Sequence, residues 1–151
     1  MLSCVSNPTK NPTKRDWYNL LYLYGYVKGT INTVLHLNTT APMNTVRISA
    51  DSAYGVHEND LHKSHTGYII YIGGSPAHAT SIKQNIVCDS SSYAELVALH
   101  SSIPPGAFIK SILEFIGITT VQLIIEQDNT KSIRYSYDTT KTNNHKYLFR
   151  Y

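Results

Sequence analysis

Val46-Arg47-Ile48-Ser49-Ala50-Asp51 alternates apolar and polar residues and ends in an acid. Period-two alternation is the signature of a strand with one buried face. Downstream, a loop rich in His, Asn and Asp spans Tyr54–Lys63, and Thr66–Ile72 forms a second strand. Gly73-Gly74-Ser75 makes a tight turn into a third strand, Ala77–Lys83, so a hairpin is expected here. Ser90 caps a helix carrying Ala94, Leu96, Val97 and Leu99, which should end by Pro104-Pro105 because proline removes a helical donor. A second helix, Ala107–Ile116, shows Phe108, Ile109, Ile112 and Phe115 as its apolar stripe and Gly117 as its stop. Thr120–Glu126 is the most strand-like segment, and Asn129–Tyr137 reads as helical. Three strands in meander, a helical crossover and a strand parallel to the first make a mixed α/β sheet.

Upstream, Asp16 is the expected cap of a helix through Lys28, with Trp17, Leu20, Leu21, Tyr24 and Val27 on one face. Ile31–Leu37 is expected as a strand and Asn38–Asn44 as a polar loop. The tyrosines at helical spacing (Tyr18, Tyr22, Tyr24, Tyr26) fit a core or interface better than base stacking.

The 151 residues suit one domain with a real core. Charged residues reach 15%, while 15 Ser, 15 Thr, 11 Asn and 12 Tyr fill the polar surface, and 42% hydrophobic content argues against a disordered tail. The longest apolar run, Tyr68–Ile72, is too short to span a bilayer, so no membrane partner is expected. Two cysteines, Cys4 and Cys88, make neither a disulfide framework nor a zinc site, which suggests a reducing compartment. The net charge of +3 is unevenly placed. Residues 1–50 carry five bases and one acid, 129–151 five bases and one acid, and 51–128 three bases and eight acids. Basic ends around an acidic centre are compatible with an anionic polymer held near a metal site, and equally with charges scattered on a solvated surface.

Three acids stand out by position. Asp51 closes the first strand, Asp128 follows the fourth, and Glu95 lies in the helix between them. If the first and fourth strands are parallel neighbours, their carboxyl ends share the sheet rim where open α/β sheets place their sites. Three converging carboxylates repel one another and favour a divalent cation, usually Mg²⁺. Other constellations read as structural. His57, His62 and His65 fit a solvated polar loop, Ser90-Ser91-Ser92 lacks a nucleophile elbow, and Gly73-Gly74 lacks the context of a phosphate loop.

Five collinear blocks carry a family resemblance. VRISADSAYG (46–55) is similar to the first-acid strand, S-D-A-x-[WY]-G, of the ribonuclease H region of copia-type (Ty/copia) retrotransposon polyproteins. KSHTGYIIYIGGSP (63–76) resembles that family's R-S-T-S-G-Y…G-G-x-P hairpin, and SIKQ (81–84) with SSSYAEL (90–96) its S-K-K-Q…S-S-T-E-A-E-Y segment. DNTKSI (128–133) resembles D-N-x-S-A-I, and residues 2–9 and 26–37 resemble the end of the reverse transcriptase and its tether.

The resemblance implies a ribonuclease H-like mixed sheet over 45–151, preceded by a reverse transcriptase tether over 1–44. It implies hydrolysis of the RNA strand of an RNA/DNA hybrid with two Mg²⁺ ions, for which Mn²⁺ can substitute. Asp51, Glu95 and Asp128 occupy the positions of the metal-binding acids. Lys83, Lys131 and Arg134 flank that site as candidate phosphate contacts, and His145 is a candidate auxiliary residue. The reverse transcriptase portion of the same polyprotein is an implied partner. A cytoplasmic location is implied, in a virus-like particle if the element is active, or a nuclear one.

The sequence departs from the pattern at Tyr93, which replaces a glutamate, and at His78, which replaces a tryptophan. The tail Asn144–Tyr151 offers no fourth acid. The chain is expected to begin inside the tether and to stop before a final helix and strand. The alternative is an inactive remnant with weak nucleic-acid binding, and an unrelated tyrosine-rich interaction domain is a residual third reading.

Overall fold

A computed structural model describes residues 12–37, 41–57, 60–130 and 133. The chain divides into two compact units, Met1–His36 and Leu37–Tyr151. In the first, helix α1 spans Lys14–Gly29. Its N-cap is Thr13 rather than Asp16, and the two form a capping box. The Asp16 amide donates to Thr13 Oγ1, and the Thr13 amide donates to the Asp16 carboxylate at 2.8 Å. Those hydrogen bonds hold the Asp16 carboxyl below its usual range. No residue of α1 is buried, so the aromatic face is not a core face. The strand expected over Ile31–Leu37 is absent. Residues 30–32 form a turn, with Thr33 N donating to Thr30 O, and 33–37 have no regular structure.

The second unit is a four-stranded sheet in the order β3-β2-β1-β4, built from β1 (Thr45–His57), β2 (Lys63–Ile72), β3 (Ser75–Lys83) and β4 (Gln122–Glu126). β1 pairs antiparallel with β2 and parallel with β4, and β2 pairs antiparallel with β3. This is the expected mixed sheet, a ribonuclease H-like arrangement. The β2–β3 connection is a two-residue turn, Gly73-Gly74, with φ of 52° and 84°. Both positive values define the primed turn that matches strand twist, and glycine takes them without strain.

β1 runs six residues beyond Asp51, because β2 supplies partners as far as the pair His57↔Lys63, with an irregularity after Ala53. Most of the expected loop over Tyr54–Lys63 is therefore hairpin, and His57 and His65 sit on strands.

Helix α2 spans Ser91–Phe115, capped by Ser90, whose Oγ accepts from the Tyr93 amide. It continues straight through Pro104 and Pro105, where a break was expected. The two prolines remove the donors that would reach His100 O and Ser101 O. The packing beyond them holds the helix together. Ala98, Ser102 and Gly106 recur at four-residue steps, all buried, and let the helix lie close on the sheet. A Cβ on Gly106 would stand 2.3 Å from Ile48 Cδ1 and 3.0 Å from its Cγ1. Val46, Ile48, Ala50, Tyr68, Ile70, Leu113 and Val121 form the core, with Ile109 and Ile118 packed against it.

Of the expected stripe only Ile109 packs against the core. Phe108, Ile112 and Phe115 are exposed, Phe115 at 91%, while Leu113 is buried. The helix ends in a Schellman motif as Gly117 suggested. Gly117 N donates to Glu114 O and Ile118 N to Leu113 O, with Gly117 at φ 93°. By length and mean hydropathy (1.2 over 18 residues) α2 could cross a membrane. About a third of that stretch is buried against the sheet, and Phe108, Ile112 and Phe115 stay exposed.

Of the helix expected over Asn129–Tyr137, the described residues include one helical bond, Ile133 N to Asn129 O. The rest of it lies outside the described residues.

The Gly106–Ile48 contact gives a direct test. Gly106→Ala alone should destabilise the domain, because overpacking costs about 1–3 kcal/mol against about 1 kcal/mol gained in helix propensity. Gly106→Ala with Ile48→Val should recover most of the loss. A urea double-mutant cycle is expected to show favourable coupling of about 1 kcal/mol, and simple additivity would refute the contact.

Candidate active site

The site is set by the parallel register of β1 and β4. Pairing runs from Thr45↔Gln122 to Ser49↔Glu126 and stops there. Two residues further along each strand direction stand Asp51 and Asp128. Where the ladder ends the chains part around a cleft of about 600 Å³, lined by Ser49, Ala50, Asp51, Ile125, Glu126, Gln127 and Asp128. Asp51 therefore lies inside β1 rather than at its end, but at the end of its pairing with β4. Both aspartates are exposed. Asp51 Oδ1 accepts from the Ser52 amide at 2.8 Å, and the Asp128 amide donates to Gln127 Oε1 at 3.2 Å.

Glu95 approaches from α2 and is 8% exposed. Its carboxylate lies between the neighbours of the two aspartates. Oε1 accepts from Ser52 Oγ at 2.9 Å and from the Ser52 amide at 3.3 Å, and Oε2 accepts from Gln127 Nε2 at 3.3 Å. Strand alternation explains this. Val46, Ile48 and Ala50 face α2 and Ser52 continues that face, whereas Asp51 belongs to the other. Burial raises the Glu95 carboxyl above its ordinary value. The Asp51 charge raises it further, and the hydrogen bonds from Ser52 and Gln127 oppose both.

The start of α2 is fixed by Gln84, which is 3% exposed. Its Nε2 donates to Thr66 Oγ1 at 3.0 Å and to Ala94 O at 2.9 Å, and its Oε1 accepts from Cys88 Sγ at 3.1 Å. The Gln84 amide also donates to Ser64 O. The Gln84 side chain thus joins β2 to the helical turn that carries Glu95, while its backbone N–H bonds to β2 just beyond the end of β3. Burial pushes the Cys88 thiol up.

On the other face of the sheet, Arg47 donates to Glu126 at 3.0 Å and lies 4.2 Å over the Tyr71 ring. This contact ties edge strand β4 to the sheet and partly balances the acid that Glu126 adds to the cleft.

The other expected site residues fall elsewhere. Lys83 is ion-paired with Asp60, which Lys63 also engages. It stands on β3, two strand spacings from β1, about 10 Å across the sheet. The hydrogen bonds from the two lysines hold the Asp60 carboxyl below its usual range. Lys131, Arg134 and His145 lie outside the described residues. Ser52 and Gln127 were not anticipated. Their signal was present, since each is adjacent to a candidate aspartate and alternation turns such a neighbour towards the helix.

The donor chemistry suits magnesium, which takes carboxylate oxygens. Asp51 and Asp128 line one cleft, and the Glu95 charge that burial and Asp51 disfavour is the kind a dication would stabilise. Among the described residues, no three His, Cys, Asp or Glu side chains are gathered closely enough to hold an ion between them. Glu95 is instead satisfied by Ser52 and Gln127.

Fold and cleft together define the class: a ribonuclease H-like mixed sheet with acids at the carboxyl end of its parallel pair. The chain is similar to the retrovirus-related Pol polyprotein from transposon TNT 1-94 of Nicotiana tabacum, at 26% identity over 129 residues. The match covers 85% of this chain and 10% of that polyprotein's length, and it supports an origin in a retrotransposon Pol polyprotein. No family model and no solved structure matches the chain.

Because the folded Glu95 carboxyl titrates above its ordinary value of 4.5, its ionisation costs stability as pH rises through the folded value. Glu95→Gln should therefore be more stable than wild type at pH 7, by about 1 kcal/mol. The advantage should shrink towards pH 4, where both side chains are neutral. Urea melts at the two pH values check this, and a pH-independent difference would exclude the assignment.

Proposed function

We propose that the chain is a retrotransposon ribonuclease H module that hydrolyses the RNA strand of RNA/DNA hybrids. One observation carries the reading. Glu95 is hydrogen-bonded to Ser52 and Gln127, the immediate neighbours of Asp51 and Asp128, next to the end of the β1–β4 ladder, which supports the reading. Asp51, Glu95 and Asp128 would hold the magnesium ions, which when bound supply an activated water and stabilise the leaving oxygen.

The chain's own residues prepare this site. Gln84 anchors the first turns of α2, Ser52 and Gln127 position the Glu95 carboxyl, and Arg47 offsets Glu126. Lys83, Lys131 and Arg134 are the proposed phosphate contacts, and the reverse transcriptase part of the polyprotein the proposed partner. A second reading, an inactive remnant, is favoured by the engagement of both Glu95 oxygens within the protein and by the absence of an acid from Asn144–Tyr151.

A labelled RNA/DNA hybrid incubated with Mg²⁺ or Mn²⁺ separates the two. Cleavage is expected in the wild type, with Asp51→Asn and Asp128→Asn each slower by on the order of 100-fold or more. Equal background in wild type and variants would leave the remnant reading.

A further inference from the structure

Gly67 stands in the middle of β2, where nothing in the chain itself asks for a glycine. Its φ lies outside the left-handed region, and a Cβ on it would meet no atom within 4 Å. It pairs regularly with Asp51 on β1 and with Ser81 on β3, so no bulge accounts for it either. A glycine inside a strand weakens it, through backbone entropy and a side chain that cannot pack. Such a position marks the close approach of another backbone or of a ligand.

The surroundings of Gly67 indicate what approaches. Residues directly opposite in a sheet share a face, so Gly67 lies on the face of Asp51, away from the one that α2 covers. With strands about 4.8 Å apart, its bare backbone flanks Asp51 on the side away from the cleft with β4. Along β2 the same face carries His65 and Ile69, so the glycine makes a notch between two larger side chains. His65 is a fixed wall, held at 3.0 Å by His57 and at 2.8 Å by Ser81. Across the sheet the notch leads to exposed Ser81.

We propose that Gly67 is a substrate-contact position, its missing side chain making room for a ribose of the RNA strand next to the phosphate that the acids bind. The proposal rests on the nuclease reading and deepens it. A second phosphate beside the Asp51 carboxylate would be repelled, whereas a neutral sugar is not. A side chain at position 67 would fill the notch and hold the strand away from Asp51.

Cleavage of a labelled RNA/DNA hybrid by Gly67→Ala and Gly67→Val, read beside urea melts of both, tests this. Gly67→Ala should cut about tenfold more slowly and Gly67→Val about 100-fold, the scale of a misplacement by an ångström. Both should unfold at a urea midpoint equal to or above that of the wild type, because a side chain there suits a strand and meets open space. In an Asp51→Asn background, where cutting is suppressed, fluorescence anisotropy should show hybrid affinity falling in the same order. Ala79→Val, on the same face but clear of the notch, should leave rate and affinity unchanged. Unchanged cleavage in a folded Gly67→Val, while the wild type cuts, would overturn the contact and leave the nuclease reading standing. A lowered urea midpoint in Gly67→Ala would assign the glycine to the fold, and an equal loss in Ala79→Val would assign the effect to bulk anywhere on this face; either overturns the contact. A wild type that neither cuts nor binds the hybrid would overturn both readings, and one that binds without cutting leaves the affinity series to decide. If Gly67→Val fails to fold, Gly67→Ala decides alone.

Discussion

The close seating of α2 on β1 is the constraint on which the other features depend. Gly106 brings the helix backbone against Ile48, leaving no room for a Cβ, and Ser102 and Ala98 continue the same narrow track. A helix held that near the sheet covers Val46, Ile48 and Ala50 completely or nearly so. It also fixes how far Glu95, at the helix's other end, reaches over the rim of β1. A larger residue at position 106 would lift the helix from the sheet. The lift would be felt at Ser52, because a helix is stiff along its axis and interiors transmit strain rather than absorb it.

Two further contacts convert this seating into a site. Gln84 ties Ala94 O to Thr66 and Ser64, so the helix cannot slide along the sheet without breaking a buried amide's hydrogen bonds. Such a break is costly because the unsatisfied groups would have no water. The β1–β4 ladder ends at Ser49↔Glu126, where the cleft opens, and the exposed Arg47–Glu126 pair adds a modest contact there. Helix height, helix register and the edge strand are thus each held by a separate interaction.

Much of this was legible in the sequence, and the failures share a cause. The alternation over Val46–Ala50, the glycine turn at 73–74, the Ser90 cap and the Gly117 stop are local signals, and each reappears in the structure. Where tertiary packing overrules local preference, the sequence misled. Pro104 and Pro105 read as a break, but the helix runs on through them, with the buried small residues Ala98, Ser102 and Gly106 on either side. Phe108, Ile109, Ile112 and Phe115 read as a core stripe, but of these only Ile109 meets the core, and Gly106 and Leu113 join it because the helix must come close. Asp51 read as a strand end because the polar run begins there. The strand continues because β2, not β4, is its partner beyond that point. The positions of the three acids could be named from pattern, but the partners that hold Glu95 required knowing which way Ser52 faces.

The electrostatics of Glu95 explain why such a residue is expensive to keep. An anion under a helix, beside Asp51, is disfavoured by burial and by like charge, and three hydrogen bonds from Ser52 and Gln127 only partly offset this. A chain selected only for stability would place a neutral side chain there, since a buried carboxylate contributes less than its desolvation costs. The surrounding groups instead oppose the upward shift that burial and Asp51 impose. Ser52 offers a hydroxyl and an amide, Gln127 offers an amide, and no basic side chain is among its hydrogen-bond partners. Donors of this kind orient a carboxylate without cancelling its charge, whereas an arginine in the same place would have neutralised it. A carboxyl held in this way, near the end of the β1–β4 ladder, is kept by the domain at a cost to its own stability.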